Sequence, residues 1–480
     1  MARQLSALDA QFLNFETSAN LAHIAGLAVL DPSTAPGGEV TREALVELIR
    51  ERAHLAPPLR RRLVQVPFRL DHPYWVEDRE IDFDYHVREI ALPRPGDDHQ
   101  LGEQVARLHG RRLDRRRPLW ELYIIHGLSG GRVAVYTKVH HSAIDGVTGA
   151  EVLAALMDLG PEPRREAPPT ESEPDTPPDT VEMIARGVGR VLENPGAAMR
   201  FLAGVVPRLD EIPVVSQIPG AGLVSRVVRG IGAEPLPGLP RMTVPRTPFS
   251  GPVSPHRRFA FGTLPLADVK RVKNAFGVTV NDVVLSMCAT ALRRWLVQRD
   301  ELPREPLVAG IPISSRGLTE GGDIPANEVV LAMTTLPTDV ADPGERLRGV
   351  SRSMKTVKDR YAAAPATWLL EFSEAMPAAL SGLADRAAFR IASRTAPAMN
   401  LMVSNVPGPQ FPLYMCGARL LAHYPVSVIT DVSGGINITV FSYDGSLDVG
   451  IVVDRDMVPD VWDFIDYLRD ALDELCRTHP

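Results

Sequence analysis

The sequence predicts a mixed α/β protein made of two units joined by a helical crossover. Three observations carry this reading. Residues 1–160 alternate short β-like runs with helical stripes, and from about residue 257 the same mixture resumes. Between them, residues 161–180 (PEPRREAPPTESEPDTPPDT) hold too little apolar surface to order themselves. With 480 residues, 45% apolar and 23% charged, the chain can bury more than one core. The expected division is 1–160, a linker and amphipathic crossover over 161–256, and 257–480.

In the first unit, Leu45, Leu48 and Ile49 form an apolar stripe in TREALVELIRERAHL, with Thr41 placed to cap it and Glu43 and Glu47 near its start. Leu101, Val105 and Leu108 mark a second helix. ELYIIHGL and RVAVYTKVHH read as strands joined by hairpin chemistry at Ser129-Gly130-Gly131. Along the second of them, Val133, Val135, Thr137 and Val139 share one side, and Ala134, Tyr136 and Lys138 the other.

Residues 181–232 are helical and amphipathic by pattern, with Arg186, Arg190, Arg200, Arg208, Arg226 and Arg229 among apolar segments. They suit a layer lying in a lipid interface or one packed on the two units. In the second unit, helices are expected over 264–275, 282–298, 345–360 and 460–476, and strands in LVAGIPIS, VVLAMTTLP, INITVFSY and LDVGIVVD.

Composition removes several functions. Lys+Arg is 52 against 59 Asp+Glu, a net charge of −7, so no basic excess exists to neutralise nucleic-acid phosphates. Cys288, Cys416 and Cys476 are few, odd in number and far apart, which fits neither a disulfide framework nor a zinc site and favours a reducing compartment. The N-terminal MARQLSALDAQFLNFE lacks the basic and apolar regions of a secretory signal. No apolar run of about 18 residues appears. A cytoplasmic location is expected, with peripheral attachment to a membrane left open.

The densest chemical constellation is His140-His141-Ser142-Ala143-Ile144-Asp145-Gly146. If the strand runs through both histidines, they point to opposite faces, which disfavours a paired metal site, and no third ligand stands at a recognisable spacing. One imidazole is then free to act as a general base on a hydroxyl or thiol attacking a carbonyl. Asp145 could orient that ring or anchor the loop on an Arg, and Gly146 allows a close approach. The competing view makes both histidines structural and Asp145 a helix cap.

Gly127-Leu128-Ser129-Gly130-Gly131 matches a nucleophile elbow, but that motif needs a helix behind it, and here a strand follows. Asn281-Asp282 opens the helix of Val283, Val284, Met287, Ala291, Leu292 and Trp295, as a cap or with the Asn281 amide as an oxyanion donor. Pro118-Leu119-Trp120-Glu121 reads alone as a Pro-started strand with a core Trp, and Ser404-Asn405-Val406-Pro407-Gly408-Pro409 as an ordered turn.

Taken in order, LSALDAQFL (5–13), DYHVREIALPRPG (84–96), RRLDRRRPLWELYIIHGL (111–128), KVHHSAIDGVTG (138–149), VNDVVLSM (280–287), PISSR (312–316), AN (326–327), SNVPGP (404–409) and the segment 424–454 resemble the bacterial bifunctional wax ester synthase/diacylglycerol acyltransferase family. The resemblance implies two chloramphenicol-acetyltransferase-like domains facing across a tunnel, with the HHxxxDG loop at its middle. It implies His141 as base, His140 and Asp145 in support, and Asn281 at the oxyanion. Gly146, Pro118, Leu119, Trp120, Asp282, Asn405, Pro407 and Gly408 would bind substrate or shape the site.

It further implies acyl-CoA as a substrate with no cofactor or metal, and diacylglycerol as acceptor, a long-chain alcohol being the alternative. A lipase, or a non-catalytic lipid-surface protein, is the reading from another class. Peripheral contact with the inner membrane or lipid droplets goes with a lipid acceptor. Two departures stand out: Ala326-Asn327 replaces Gly-Asn, and Leu21-Ala22-His23 replaces Pro-Met-His. Neither is expected to touch the base.

Overall fold

Among the described residues, the β-like runs fold into two six-stranded sheets and one small three-stranded sheet. The computed structural model describes residues 2–144, 152–164, 176–193, 243–314, 329–363 and 399–478. The small sheet joins β1 (Arg3–Gln4), β3 (Arg61–Val64) and β4 (Tyr74–Glu77). The first large sheet contains β2 (His23–Asp31), β5 (Val87–Ala91), β6 (Trp120–His126) and β7 (Val133–His140). The second contains β8 (Arg257–Pro265), β9 (Leu307–Ser314), β10 (Val329–Leu336), β11 (Leu401–Pro407), β14 (Ile436–Tyr443) and β15 (Ser446–Asp454).

The remaining strands, β12 (Tyr414–Met415) and β13 (Ala418–Val426), come from the second half of the chain yet complete the first sheet. Its order is β12-β13-β2-β7-β6-β5, and that of the second is β10-β9-β11-β14-β15-β8. The division expected at residue 257 therefore follows the chain but not the sheets.

Local sequence accounts for most elements. Helices α1 (Ala7–Phe15) and α2 (Arg42–Arg52) start at Ser6 and Thr41, whose hydroxyls accept from Asp9 N and Ala44 N. A short α3 (Phe83–His86) precedes α4 (Asp98–His109). Leu45, Leu48, Ile49, Leu101, Val105 and Leu108 are all buried, as their spacing required. β6 and β7 pair antiparallel across the Ser129–Gly131 turn, where Gly130 takes φ 74°. In the second half, α6 (Leu266–Phe276), α7 (Val280–Val297), α8 (Pro343–Ala363) and α9 (Asp463–Thr478) fall within a few residues of expectation.

Two local readings change. Thr279, not Asn281-Asp282, caps α7: its hydroxyl accepts from Asp282 N, and the Asp282 carboxylate accepts from Thr279 N. SNVPGP is a turn only at its end, because Ser404 to Pro407 lie in β11, parallel to β14.

Of the amphipathic stretch 181–232, only the part within α5 (Thr180–Glu193) is described, and 194–232 lie outside the described residues. Met183 on α5 is buried against Val66 and Tyr74, whereas Val181 is 75% exposed. No single helix among the described residues is long and apolar enough to cross a membrane. The pair α6 and α7 passes that test only jointly, bent by 103°, and α7 is a core helix.

Where the two large sheets meet, a polar clasp and a glycine set the distance. Asp431 N donates to Asn20 Oδ1 (2.8 Å), and Asn20 Nδ2 donates back to Asp431 Oδ2 (3.0 Å). The buried Asp448 carboxylate on β15 accepts from His423 N on β13 (2.8 Å) and from Thr263 Oγ1 on β8 (2.8 Å). Gly450 faces Pro425 so closely that a Cβ there would stand 1.8 Å from the Pro425 carbonyl oxygen. Gly450→Ala is expected to destabilise the protein by about 3 kcal/mol through forced backbone displacement, read as a lowered urea midpoint. An unchanged midpoint refutes this packing.

Burial also sets the pH response. It pushes His109 and His140 down to about 3, His423 down to about 4, and His23 well below the usual imidazole range. In the unfolded chain these rings titrate near 6.5, so unfolding below that pH takes up protons and stability falls toward acid. Asp448, raised to about 6 by burial, acts with the opposite sign, because the native state holds its proton. Each ring contributes up to about 1.4 kcal/mol per pH unit, and four rings outweigh one carboxyl. The urea midpoint is expected to fall steadily from pH 7 to pH 5, and a flat or rising profile refutes it.

Candidate active site

β7 ends one residue sooner than its alternation suggests. His140 is its last residue, and His141 opens a three-residue 3-10 turn, His141–Ala143. The two histidines therefore separate by a change of secondary structure rather than by opposite faces of one strand. Side chains along β7 do alternate as read, with Val133, Val135 and Val139 in one core and Ala134 and Tyr136 in the other.

The His140 side chain is 1% exposed. Its Nδ1 accepts from Ser142 N (3.1 Å) and lies 2.7 Å from Ser142 Oγ, which closes the turn. Burial first, then the positive charge of Arg115 and its neighbour His141, holds the ring neutral at about 3. His140 N donates to Leu119 O (2.9 Å), so the PLW segment pins the strand end by its backbone.

Trp120 is fully buried, donates from its indole to Leu59 O (2.9 Å) and stacks on His86 at 4.3 Å. Buried Pro118 precedes it and accepts from Trp120 N (2.9 Å). The PLW residues thus act on the turn as scaffold.

His141 is half-buried. Its backbone N–H donates to Ala22 O (2.7 Å) and its carbonyl accepts from Ile144 N (3.3 Å). The Leu21-Ala22-His23 departure thus does touch the base residue, against expectation, though only through backbone. The His141 ring lies on Phe12 of α1, with centroids 4.0 Å apart and planes 14° apart. That stack fixes the plane of the ring.

Glu16, the C-cap residue that ends α1, faces the other ring. The Glu16 side chain is 3% exposed, and its Oε2 takes Arg115 Nη2 at 2.6 Å. Its Oε1 faces His140 Nε2 at 3.8 Å. Phe12, Glu16, Arg115 and Ser142 were not among the expected site residues. The one available signal was that Phe12 lies within the LSALDAQFL segment, Glu16 three residues after it, and Arg115 in LDRRR before PLW.

Behind the turn runs a buried polar network. His23, register partner of His140, donates through Nε2 to His109 O (2.6 Å). His109 Nε2 donates to Ser427 O (3.1 Å), while its Nδ1 accepts from Tyr136 OH (2.9 Å). Lys138 pairs with Glu121 at 3.1 Å, both side chains nearly inaccessible. Such a pair is costly to bury, but Lys138 Nζ also donates to Leu108 O and Arg111 O.

Asp145 and Gly146 lie outside the described residues, as do Ala326 and Asn327. Asn281 is half-buried in the first turn of α7, and Asp282 is occupied by Thr279. Among the described residues, no hydrogen bond joins Asn281 or Asn405 to either histidine. Asn405 pairs in register with Val440, and Pro407 with Ser442. Gly408 donates to Ser442 Oγ, where a Cβ would stand 2.3 Å from the Phe441 ring.

Ser129 sits in the hairpin turn at the far end of β7, roughly 25 Å along the strand from His141. Its hydroxyl accepts from Arg132 Nη2 (3.1 Å). No group of three His, Cys, Asp or Glu side chains among the described residues is set to hold a metal ion. A cleft of about 230 Å³ lined by Arg107, Arg258, Arg455 and Trp462 includes none of the expected site residues.

Comparison with known proteins adds the family. The model of the wax ester synthase/diacylglycerol acyltransferase catalytic domain matches residues 5–284, and that of its C-terminal domain residues 326–476. A putative diacylglycerol O-acyltransferase of Mycobacterium tuberculosis is 36% identical over 98% of this chain and 90% of its own length. A probable diacylglycerol O-acyltransferase, tgs2, of the same organism is 35% identical over 97% of each.

Among solved structures, the wax ester synthase/diacylglycerol acyltransferase of Marinobacter aquaeolei VT8 matches with TM-score 0.69 and 28% identity over 99% of both chains. The first condensation domain of the calcium-dependent antibiotic synthetase, at 15% identity and TM-score 0.53 over 100% and 98%, shares the fold. With both family models in order along the chain and close to full-length relatives, the protein belongs to the wax ester synthase/diacylglycerol acyltransferase family and is an acyltransferase.

Proposed function

We propose that this chain makes triacylglycerol by transferring a long-chain acyl group from acyl-CoA to a diacylglycerol hydroxyl, with His141 as general base. The observation that carries the reading is the half-buried His141 ring, laid on Phe12 in the turn after a strand whose last residue, His140, is buried and neutral. His141 takes the hydroxyl proton as the oxygen attacks the thioester carbonyl. The tetrahedral oxyanion collapses, the C–S bond breaks, and the imidazolium returns the proton to the CoA thiolate. No acyl-enzyme forms, and no serine is needed.

Phe12 contributes where charge develops, because an aromatic face stabilises a cation stacked on it by about 0.5–2 kcal/mol. Asn281, in the first turn of α7, is assigned the oxyanion, and Asp145 the support of the loop. The named relatives favour diacylglycerol as acceptor, and a long-chain alcohol would use the same residues. Both ligands carry aliphatic chains, so a tunnel between the two sheets with few polar groups is assigned to them. Peripheral contact with a membrane or lipid droplet follows from such acceptors, with the exposed side of α5 as its candidate.

His141→Ala is expected to lower kcat by about 10²–10⁴ with circular dichroism unchanged. Near-full activity removes the base assignment. Ser129→Ala is expected to keep full activity, and its loss revives a lipase. Feeding the enzyme palmitoyl-CoA with diacylglycerol or hexadecanol and separating the products decides the acceptor. Wax ester as the dominant product replaces the first reading with the second. Flotation with phosphatidylglycerol vesicles is expected to carry the wild type upward and to fail for Val181→Asp; equal flotation of both removes α5 from the contact.

A further inference from the structure

Neither Glu16 nor Arg115 takes part in the proton transfer itself, yet both close on the turn that presents His141. A carboxylate buried this deeply needs a partner for each oxygen. Arg115 satisfies Oε2 and is itself fixed by a second bond to Leu13 O (2.8 Å). Glu16 Oε1 and His140 Nε2 each lack a hydrogen-bond partner among the described residues, and they face one another at 3.8 Å.

The proton on His140 can be placed by elimination. A backbone N–H only donates, so Nδ1, which takes Ser142 N–H, carries a lone pair. A neutral ring has one proton, and it is therefore assigned to Nε2, the atom aimed at Glu16.

We propose that Glu16 is a positioning residue for acyl transfer, holding the Nε2–H tautomer and orientation of His140 and thereby the turn that carries His141. Without that acceptor, the ring can turn over or move its proton to Nδ1. An Nδ1–H would oppose Ser142 N–H, and the turn would open at the catalytic residue. Phe12 of α1 lies on His141, and Glu16 caps the end of that helix four residues later, so α1 and its C-cap contact both imidazoles. The inference rests on His141 being the base.

The test compares full-length Glu16→Ala and Glu16→Gln with wild type and with His141→Ala. It reads kcat, KM and the tautomer of His140 in long-range ¹H–¹⁵N spectra of histidine-labelled protein, the signal being assigned by its loss in His140→Gln. Glu16→Ala is expected to lower kcat about 10–100-fold with KM within about 3-fold, and to shift His140 toward a tautomer mixture.

Glu16→Gln keeps an oxygen that can accept from Nε2–H while losing the charge. It is expected to restore kcat to within about 5-fold and to keep the tautomer. If Glu16→Ala does not fold, Glu16→Gln carries the test. Unchanged kcat and tautomer in Glu16→Ala overturn the proposal. So does loss of activity in Glu16→Gln with the tautomer intact, which would make the Arg115 pair merely structural. An active His141→Ala removes the base assignment instead, and the His140 spectrum then still decides whether Glu16 sets the ring.

Discussion

The antiparallel pairing of β13 with β2 is the constraint on which the rest depends. It runs from Arg419 opposite Asp31 to Val426 opposite Ala25, with one irregularity between Leu420 and Ala422. A stretch from the second half of the chain thereby becomes an inner strand of the first sheet, beside the strand that pairs His23 with His140. From its end, Ser427 reaches back to His109, and Asp431 to Asn20. The turn bearing His141 is thus braced from both halves, and an error in that register would shift the floor beneath it.

Local elements were readable because local rules specify them. Thr41 caps as its type and position require, Ser129-Gly130-Gly131 turns the hairpin, and the stripe from Val283 to Trp295 is buried as its period demands. The exchange of β13 was not readable, since nothing in ARLLAHYPV names a partner some four hundred residues away. The site divides in the same manner. His140 and His141 announce themselves as a pair, and the PLW and ND segments carry a family resemblance.

Glu16 looks like one solvated acid among many. Its meaning depends on Arg115, 99 residues distant, and on the ring beyond it. The end of β7 was misjudged by one residue because alternation does not reveal where Ser142 will bend the backbone onto His140 Nδ1.

Electrostatically, the region around β7 keeps its imidazoles uncharged by dryness. Burial is the leading cause for His23, His109 and His140 alike, with Lys138, Arg257 and Arg115 adding repulsion. The positive charges are themselves tied to carboxylates or carbonyls, as Lys138 is to Glu121 and Arg115 to Glu16. The arrangement suits a reaction in which one ring alone must gain and release a proton, since its neighbours do not compete for it.

The exchanged strand carries an evolutionary and practical consequence. A gene cut at the proline-rich linker would yield a front piece whose β2 ends as a bare edge, with its amides and carbonyls open to any extended peptide nearby. Such a fragment would self-associate rather than work, and so the two halves of this enzyme are expected to be inherited, expressed and lost together.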